Sequence, residues 1–138
     1  METPINTKLT PVEYAAKIIN NTHKHLFLTG KAGTGKTTFL KSIVQQTHKK
    51  AIVVAPTGIA AINAGGVTIH SQFQLPIGSF IPIKNSRLSN LQYSKINTPE
   101  SIFRNMHMGK SKRKVLQEID LLIIDEVSML RADLLDAV

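Results

Sequence analysis

Two unbroken apolar runs dominate the chain: Ala51-Ile52-Val53-Val54-Ala55 and Leu121-Leu122-Ile123-Ile124. Runs of this length, rich in branched residues and bounded by polar ones, predict strands buried on both faces of a parallel sheet. A shorter run, Leu26-Phe27-Leu28, predicts a third such strand just before Gly30. Between Leu28 and Ala51 the pattern changes. From Lys36 to Gln46 there is no Gly or Pro, and Phe39, Leu40, Ile43 and Val44 recur at helical spacing. Strand, helix and strand in that order predict a right-handed crossover, a parallel sheet and an α/β fold.

The remaining elements follow from local signals. Thr10-Pro11-Val12-Glu13 reads as a helix start, with Thr10 as cap, Pro11 in the first helical position and Glu13 completing a capping box. Val12, Ala16 and Ile19 are its expected apolar face, and Asn20-Asn21 its end. Residues 1–9 are expected to be a loose arm, and 10–138 one domain. Pro56-Thr57-Gly58 breaks the second strand, and a short helix is expected from Ile59 to Ala64, closed by Gly65-Gly66. From Leu75 to Pro99 periodicity fades. A further helix is expected over Ser101–Met108, with Ile102, Phe103 and Met106 on one side and Gly109 at its end. An amphipathic helix is expected within Ser128–Val138, carried by Leu130, Leu134, Leu135 and Val138. There is no internal repeat.

One loop changes a generic α/β reading into a specific one. Gly30-Lys31-Ala32-Gly33-Thr34-Gly35-Lys36-Thr37 fits the phosphate-loop pattern Gly-x-x-x-x-Gly-Lys-[Ser/Thr] at every fixed position. Glycines permit backbone angles and close approaches that let successive N–H groups line an anion-binding bowl. The helix beginning near Lys36 adds unpaired N–H groups and the positive end of its dipole. Lys36 would reach the β- and γ-phosphates, and Thr37 would hold Mg2+. The expected partner is Asp125-Glu126, two acids directly after the last apolar run. Asp125 can share the metal with Thr37, and Glu126 can activate a water as general base. Pro56, Thr57 and Gly58 close a strand at the edge where open α/β sheets bind ligands. Thr68, His70 and Ser71 could grip phosphate oxygens by hydrogen bonds.

Charge extends the reading to a second partner. The 138 residues carry a net charge of +8. No acid lies between Glu13 and Glu100, whereas six of the nine acids lie from Glu118 onward. Lys110, Lys112, Arg113 and Lys114 form the densest basic cluster, either a nucleic-acid contact or a solvated helix start. A nucleotide, a nucleic acid or both are the natural polyanion partners. With 42% hydrophobic and 19% charged residues the chain is globular in composition. It has no cysteine, which excludes a disulfide scaffold and a Cys-ligated zinc site. The N-terminus lacks the basic start and apolar run of a signal peptide, and no apolar stretch approaches membrane-spanning length. A cytoplasmic protein is expected, nucleoid-associated if the source is bacterial.

Four segments stand in the order of a superfamily 1 helicase core: GKAGTGKT at 30–37, APTGIAA at 55–61, TIHS at 68–71 and IIDEVSM at 123–129. The chain resembles the PIF-type, RecD-like DNA helicases of superfamily 1B over nearly everything from Leu9 onward. The resemblance implies a RecA-like P-loop NTPase fold, a three-layer α/β domain with a parallel sheet, here truncated to part of helicase domain 1A. It implies ATP and Mg2+ as cofactors, and ATP-driven 5′ to 3′ translocation on single-stranded or forked DNA. By position, Gly30, Gly33, Thr34, Gly35, Lys36, Thr37 and Thr38 match the nucleotide-binding loop. Lys36 and Glu126 match the catalytic residues, and Thr37 and Asp125 the metal site. Pro56, Thr57, Gly58, Thr68, His70 and Ser71 match the segments that touch single-stranded DNA.

The match has gaps. Leu9 to Tyr14 holds no glutamine of the kind that reads adenine in this family. The later sensor motif, the second RecA-like domain and its arginine finger are not in these residues. The implication is the front part of a helicase that needs its missing second domain. These residues alone are then expected to bind nucleotide weakly, hydrolyse it very slowly and unwind nothing. An open sheet edge or apolar face is expected where later strands would pack. Two other readings fit the same residues: a protein-remodelling P-loop ATPase, and a nucleotide-gated binding module that never hydrolyses.

Overall fold

A computed structural model describes residues 9–82 and 96–138. Residues 1–8 of the expected arm lie outside the described residues, as do Ile83, Lys84, Arg87 and Lys95 of the irregular basic stretch. The helices are α1 (Pro11–Asn21), α2 (Lys36–Gln46), α3 (Gly58–Ala64), α4 (Ile69–Phe73), α5 (Pro99–Asn105), α6 (Lys110–Gln117) and α7 (Ala132–Ala137). The strands are β1 (Ala51–Ala55), β2 (Val67–Thr68), β3 (Ser79–Phe80), β4 (Ile96–Asn97) and β5 (Leu121–Ile124).

The two long apolar runs become neighbouring parallel strands. β1 is central, with β2 on one side and β5 on the other. Ala51 pairs with Leu121 and Val54 with Ile124, while Ala55 pairs with Thr68. Alternation along β1 sends side chains to both faces. Ile52 and Val54 join Ile69, Leu75, Phe80, Leu134 and Ile124 in the main core, with Ile102 and Met106 packed against it. Ala55 faces the other way and packs on Ala60 and Ala61 of α3. Small residues on both sides let α3 lie close. Helices therefore cover both faces, the three-layer arrangement expected of the pattern.

Gly65, at φ +73, turns the chain out of α3. The next residue, Gly66, then crosses β1 so closely that a Cβ there would lie 2.2 Å from the carbonyl oxygen of Val53. No rotamer change can relieve a clash with backbone. Gly66→Ala is expected to destabilise the fold by about 1–3 kcal/mol or more, as overpacking does. Urea denaturation of the variant beside the parent chain checks this; an unchanged midpoint would contradict the close approach.

β3 and β4 pair in parallel as a second, two-stranded sheet within the stretch where periodicity fades, and Phe80 of β3 belongs to the main core. Asp133 ties it to α7. Its carboxylate accepts from the Phe80 N–H at 3.0 Å and from Arg131 Nε at 3.0 Å. Arg131 in turn donates to the Ser79 hydroxyl at 3.2 Å. The Phe80 N–H first, and then Arg131, hold the Asp133 carboxyl below its ordinary value of 3.8. A carboxyl depressed in the folded state adds stability above its unfolded pKa and loses it as pH falls through the folded one. Asp133→Asn should thus lower the melting temperature at pH 7, and the deficit should shrink as pH drops below about 4. A deficit independent of pH would contradict the charge-assisted bonds.

Several expectations need correction. Leu26-Phe27-Leu28 pairs with no strand among the described residues, and Phe27 is 74% exposed. An apolar run becomes a strand only beside a free ladder edge. The edge of β5 faces it across a cavity of about 840 Å3, lined by Leu26–Thr29 on one wall and Leu121–Asp125 on the other. In α1 the capping box forms as expected, with the Thr10 N–H donating to Glu13 at 2.7 Å. That bond, more than any other contact, holds the Glu13 carboxyl below its ordinary value. The buried residue of α1 is Ala15, however, and Val12 is exposed. The helix expected at Ser101–Met108 starts and ends earlier, because Thr98 caps it and Pro99 opens it. Ile102 and Met106 face the core, while Phe103, one residue round the helix, is 80% exposed. The C-terminal helix shortens to α7 behind a 3-10 turn at Val127–Met129, with Leu134 buried and Leu135 and Val138 exposed.

Candidate functional site

The strand register sets three loops at one level. β1 hands over to Pro56, β2 to Ile69 and β5 to Asp125, all at carboxyl ends of adjacent parallel strands. The Asp125 N–H continues the ladder by donating to the Val54 carbonyl at 2.9 Å. The phosphate-type loop enters the same region from Leu28. Gly30, Lys36, Thr37, Asp125 and Glu126 line one cavity, the space of about 840 Å3 beside β5. Thr29 and Ser128 line it as well. Thr29 stands beside the phosphate loop and Ser128 within the 123–129 segment, and neither carries a signal of its own in the chain.

The loop has the build of an anion cradle. Gly33 and Gly35 sit at φ +76 and +83, in the left-handed region that favours glycine. At Gly30 a Cβ would lie 2.9 Å from the Thr34 hydroxyl. Thr34 staples the loop by donating from Oγ1 to the Lys31 carbonyl at 2.8 Å. The start of α2 has no side-chain cap. The N–H groups of Gly33, Gly35, Lys36 and Thr37 meet no protein acceptor among the described residues. Lys36 Nζ folds back and donates to the Gly30 and Lys31 carbonyls, both at 2.8 Å. Thr38 stands one residue further along α2, exposed and outside the cavity lining.

The acid pair is placed by an unusual turn. Glu126 adopts φ 52, left-handed though not glycine, and its N–H donates to Asp125 Oδ1 at 2.9 Å. Both carboxylates border the cavity that Thr37 also borders. Among the described residues no three His, Cys, Asp or Glu side chains cluster to hold a metal by themselves. The donor set of one hydroxyl and one carboxylate suits Mg2+, which keeps several waters and binds through few protein ligands plus phosphate oxygens.

Gly33, Thr34 and Gly35 do not line that cavity, and the six strand-contact candidates also lie outside it, at the carboxyl ends of the strands. Thr57 caps α3, accepting at Oγ1 from the Ala60 N–H at 3.3 Å, with Gly58 as the first helical residue. Thr68 caps α4 in the same way, accepting from the Ser71 N–H at 3.2 Å. Pro56 and His70 are half-buried and Ser71 is exposed. Each threonine uses one lone pair for the cap. Its O–H proton stays available to a phosphate oxygen. Capping and anion contact are compatible at both positions.

A parallel sheet with helices on both faces, a glycine cradle opening an uncapped helix, and an acid pair closing a nearby strand define a P-loop NTPase domain of the RecA-like kind. The chain belongs to the PIF1-like helicase family, whose model matches residues 12–138. It is 30% identical over 129 residues to the ATP-dependent DNA helicase PIF1 of Saccharomyces cerevisiae, covering 90% of this chain and 13% of the relative. It is 35% identical over 127 residues to Pif1 of Psychrobacter, covering 87% and 16%. Among solved structures, a Bacteroides Pif1 helicase superposes with a TM-score of 0.75 at 40% identity, covering 96% of this chain and 27% of that one. Bacteroides Pif1 bound to single-stranded DNA superposes at 0.70 with 42% identity, covering 91% and 25%. The chain thus spans only a small part of the curated relatives it matches.

Proposed function

We propose that these residues form the front of the first RecA-like domain of an ATP-dependent DNA helicase, which couples ATP hydrolysis to 5′ to 3′ movement on single-stranded DNA. The observation that carries the proposal is the shared level of the loops. Lys36, Thr37, Asp125 and Glu126 border one cavity, and the Pro56–Gly58 and Thr68–Ser71 segments end the strands beside it. Relatives point the same way: Bacteroides Pif1 has been solved with ADP-AlF4 and with single-stranded DNA.

In this reading the N–H groups of Gly33, Gly35, Lys36 and Thr37 receive the phosphates. The Lys36 ammonium exchanges the Gly30 and Lys31 carbonyls for β- and γ-phosphate oxygens. Thr37 and Asp125 would hold Mg2+, which neutralises charge developing on those oxygens. Glu126 takes a proton from the water whose oxygen attacks the γ-phosphorus, as the bond to the β,γ-bridging oxygen breaks and ADP leaves. The threonine hydroxyls at 57 and 68, with His70 and Ser71, grip strand phosphates. A second RecA-like domain completes the site and turns the cycle into movement. We place the protein in the cytoplasm, with DNA as its partner.

The test is ATP turnover with and without single-stranded DNA, in the whole enzyme and in these 138 residues. Strong stimulation in the whole enzyme, with negligible turnover in the isolated residues, is expected. A whole enzyme indifferent to DNA would favour a protein-remodelling ATPase instead.

A further inference from the structure

The basic cluster at Lys110–Lys114 opens α6, and two contacts fix which way that helix points. At its C-terminal end Glu118 bridges to Lys50 at 2.9 Å, beside the first residue of β1. That bridge is also what lifts the Lys50 pKa above its ordinary value. Asp120 then accepts from the Lys50 N–H at 3.0 Å. The C-terminal end of α6 is thereby pinned at the amino ends of the strands. An eight-residue helix spans about 12 Å, so it runs back toward the carboxyl ends. There Lys112 Nζ reaches Oε1 of Gln72 at 3.4 Å. Gln72 is buried and follows Ser71 directly on α4. The first turn of α6 therefore adjoins the segment to which strand contact has been given.

The charges on this turn are poorly placed for a helix that only has to be soluble. Lys110, Lys112 and Arg113 crowd the positive end of the helix dipole, with no acid in the first turn and no side-chain cap, and Lys114 follows one turn on from Lys110. By contrast α1 and α5 open with a threonine cap and an acid. Lys110, Arg113 and Lys114 are exposed and form no ion pair with any described residue. Cations that repel one another and the helix end are relieved by a polyanion lying across them.

We propose that the basic face of α6 carried by Lys110, Arg113 and Lys114 is a second phosphate-contact surface for single-stranded nucleic acid, continuing the path of the strand past α4. Lys110, Arg113 and Lys114 contact backbone phosphates, while Lys112 holds the turn against Gln72. This rests on the reading that Thr68–Ser71 touches the strand.

The test is a salt titration of the chain's binding to a fluorescent oligothymidylate, followed by anisotropy. Each phosphate contact contributes a slope of about −0.7 in log–log terms. Lys110→Glu with Arg113→Glu should flatten the slope by about 1.4, if each makes one contact, and weaken binding at least tenfold at low salt. Acids in the first turn favour the helix, so loss of fold is not the expected cause, and a thermal melt verifies it. Lys24→Glu with Lys41→Glu makes the same change in net charge elsewhere and should leave the slope near that of the parent chain. His70→Ala with Ser71→Ala tests the underlying reading. If that variant weakens binding while the α6 variant matches the parent chain, the inference falls and the reading stands. If only the α6 variant weakens binding, the surface stands and the assignment of His70 and Ser71 falls. Equal flattening by the Lys24 and Lys41 control would reduce the effect to net charge and overturn the inference.

Discussion

Lys36→Ala is expected to lower ATP affinity about 10- to 100-fold and turnover by a further factor on the order of 10²–10³. The first figure follows from removing hydrogen bonds between charged partners, worth about 1.5–3 kcal/mol. The second is the usual effect of deleting one donor aimed at charge that grows in the transition state. The structure adds a complication. Lys36 Nζ already donates to the Gly30 and Lys31 carbonyls at 2.8 Å each. Phosphate must displace both bonds, so the affinity measured for the parent chain is already reduced by that exchange. Lys36→Ala removes the tie as well as the phosphate contact. It leaves two exposed carbonyls to water, which costs the fold little. Isothermal titration with ATP-Mg should therefore show the lost affinity while the thermal melt stays within a few degrees. Unchanged affinity would mean that the Lys36 ammonium makes no contact with the phosphates.

The elements that could be read in the chain are those whose cause is local. β1, β5 and α2 have the bounds that their patterns predict, because four or five consecutive apolar residues, or eleven without Gly or Pro, leave one economical structure. The capping box at Thr10 is local too. Thr98-Pro99 carries the same Thr-Pro signature, and the helix that follows opens there rather than at Ser101. What could not be read depends on neighbours distant in sequence. Leu26–Leu28 has the composition of a strand, but a ladder needs a second edge, and β5 lies across a cavity from it. Phe103 is apolar, yet sits one step round the helix from the face that Ile102 and Met106 present. The same holds at the candidate site. The phosphate loop and the acid pair were recognisable as motifs, and the cavity they share depends on the pairing of β1 with β5. That Thr57 and Thr68 act as helix caps follows from where two strands stop. The contact of Lys112 with Gln72 joins residues forty positions apart, and no periodicity announces it.

Glu126→Gln should separate binding from chemistry in the whole enzyme. The two side chains are nearly the same size, and the N–H of residue 126 keeps its bond to Asp125 Oδ1. The nucleotide site should bind ATP-Mg within a few-fold of the parent. The amide cannot take the proton of the attacking water, so turnover should fall by about 10²–10⁴-fold. The backbone supplies an independent check. Glu126 holds φ 52, a conformation costing a residue with a Cβ roughly 1–3 kcal/mol. Glycine removes that cost but adds freedom to the unfolded chain. Glu126→Gly should then abolish turnover while leaving the melting temperature equal or higher. Intact turnover in Glu126→Gln would move the base to another residue. A marked loss of stability in Glu126→Gly would instead mean that the turn needs this side chain.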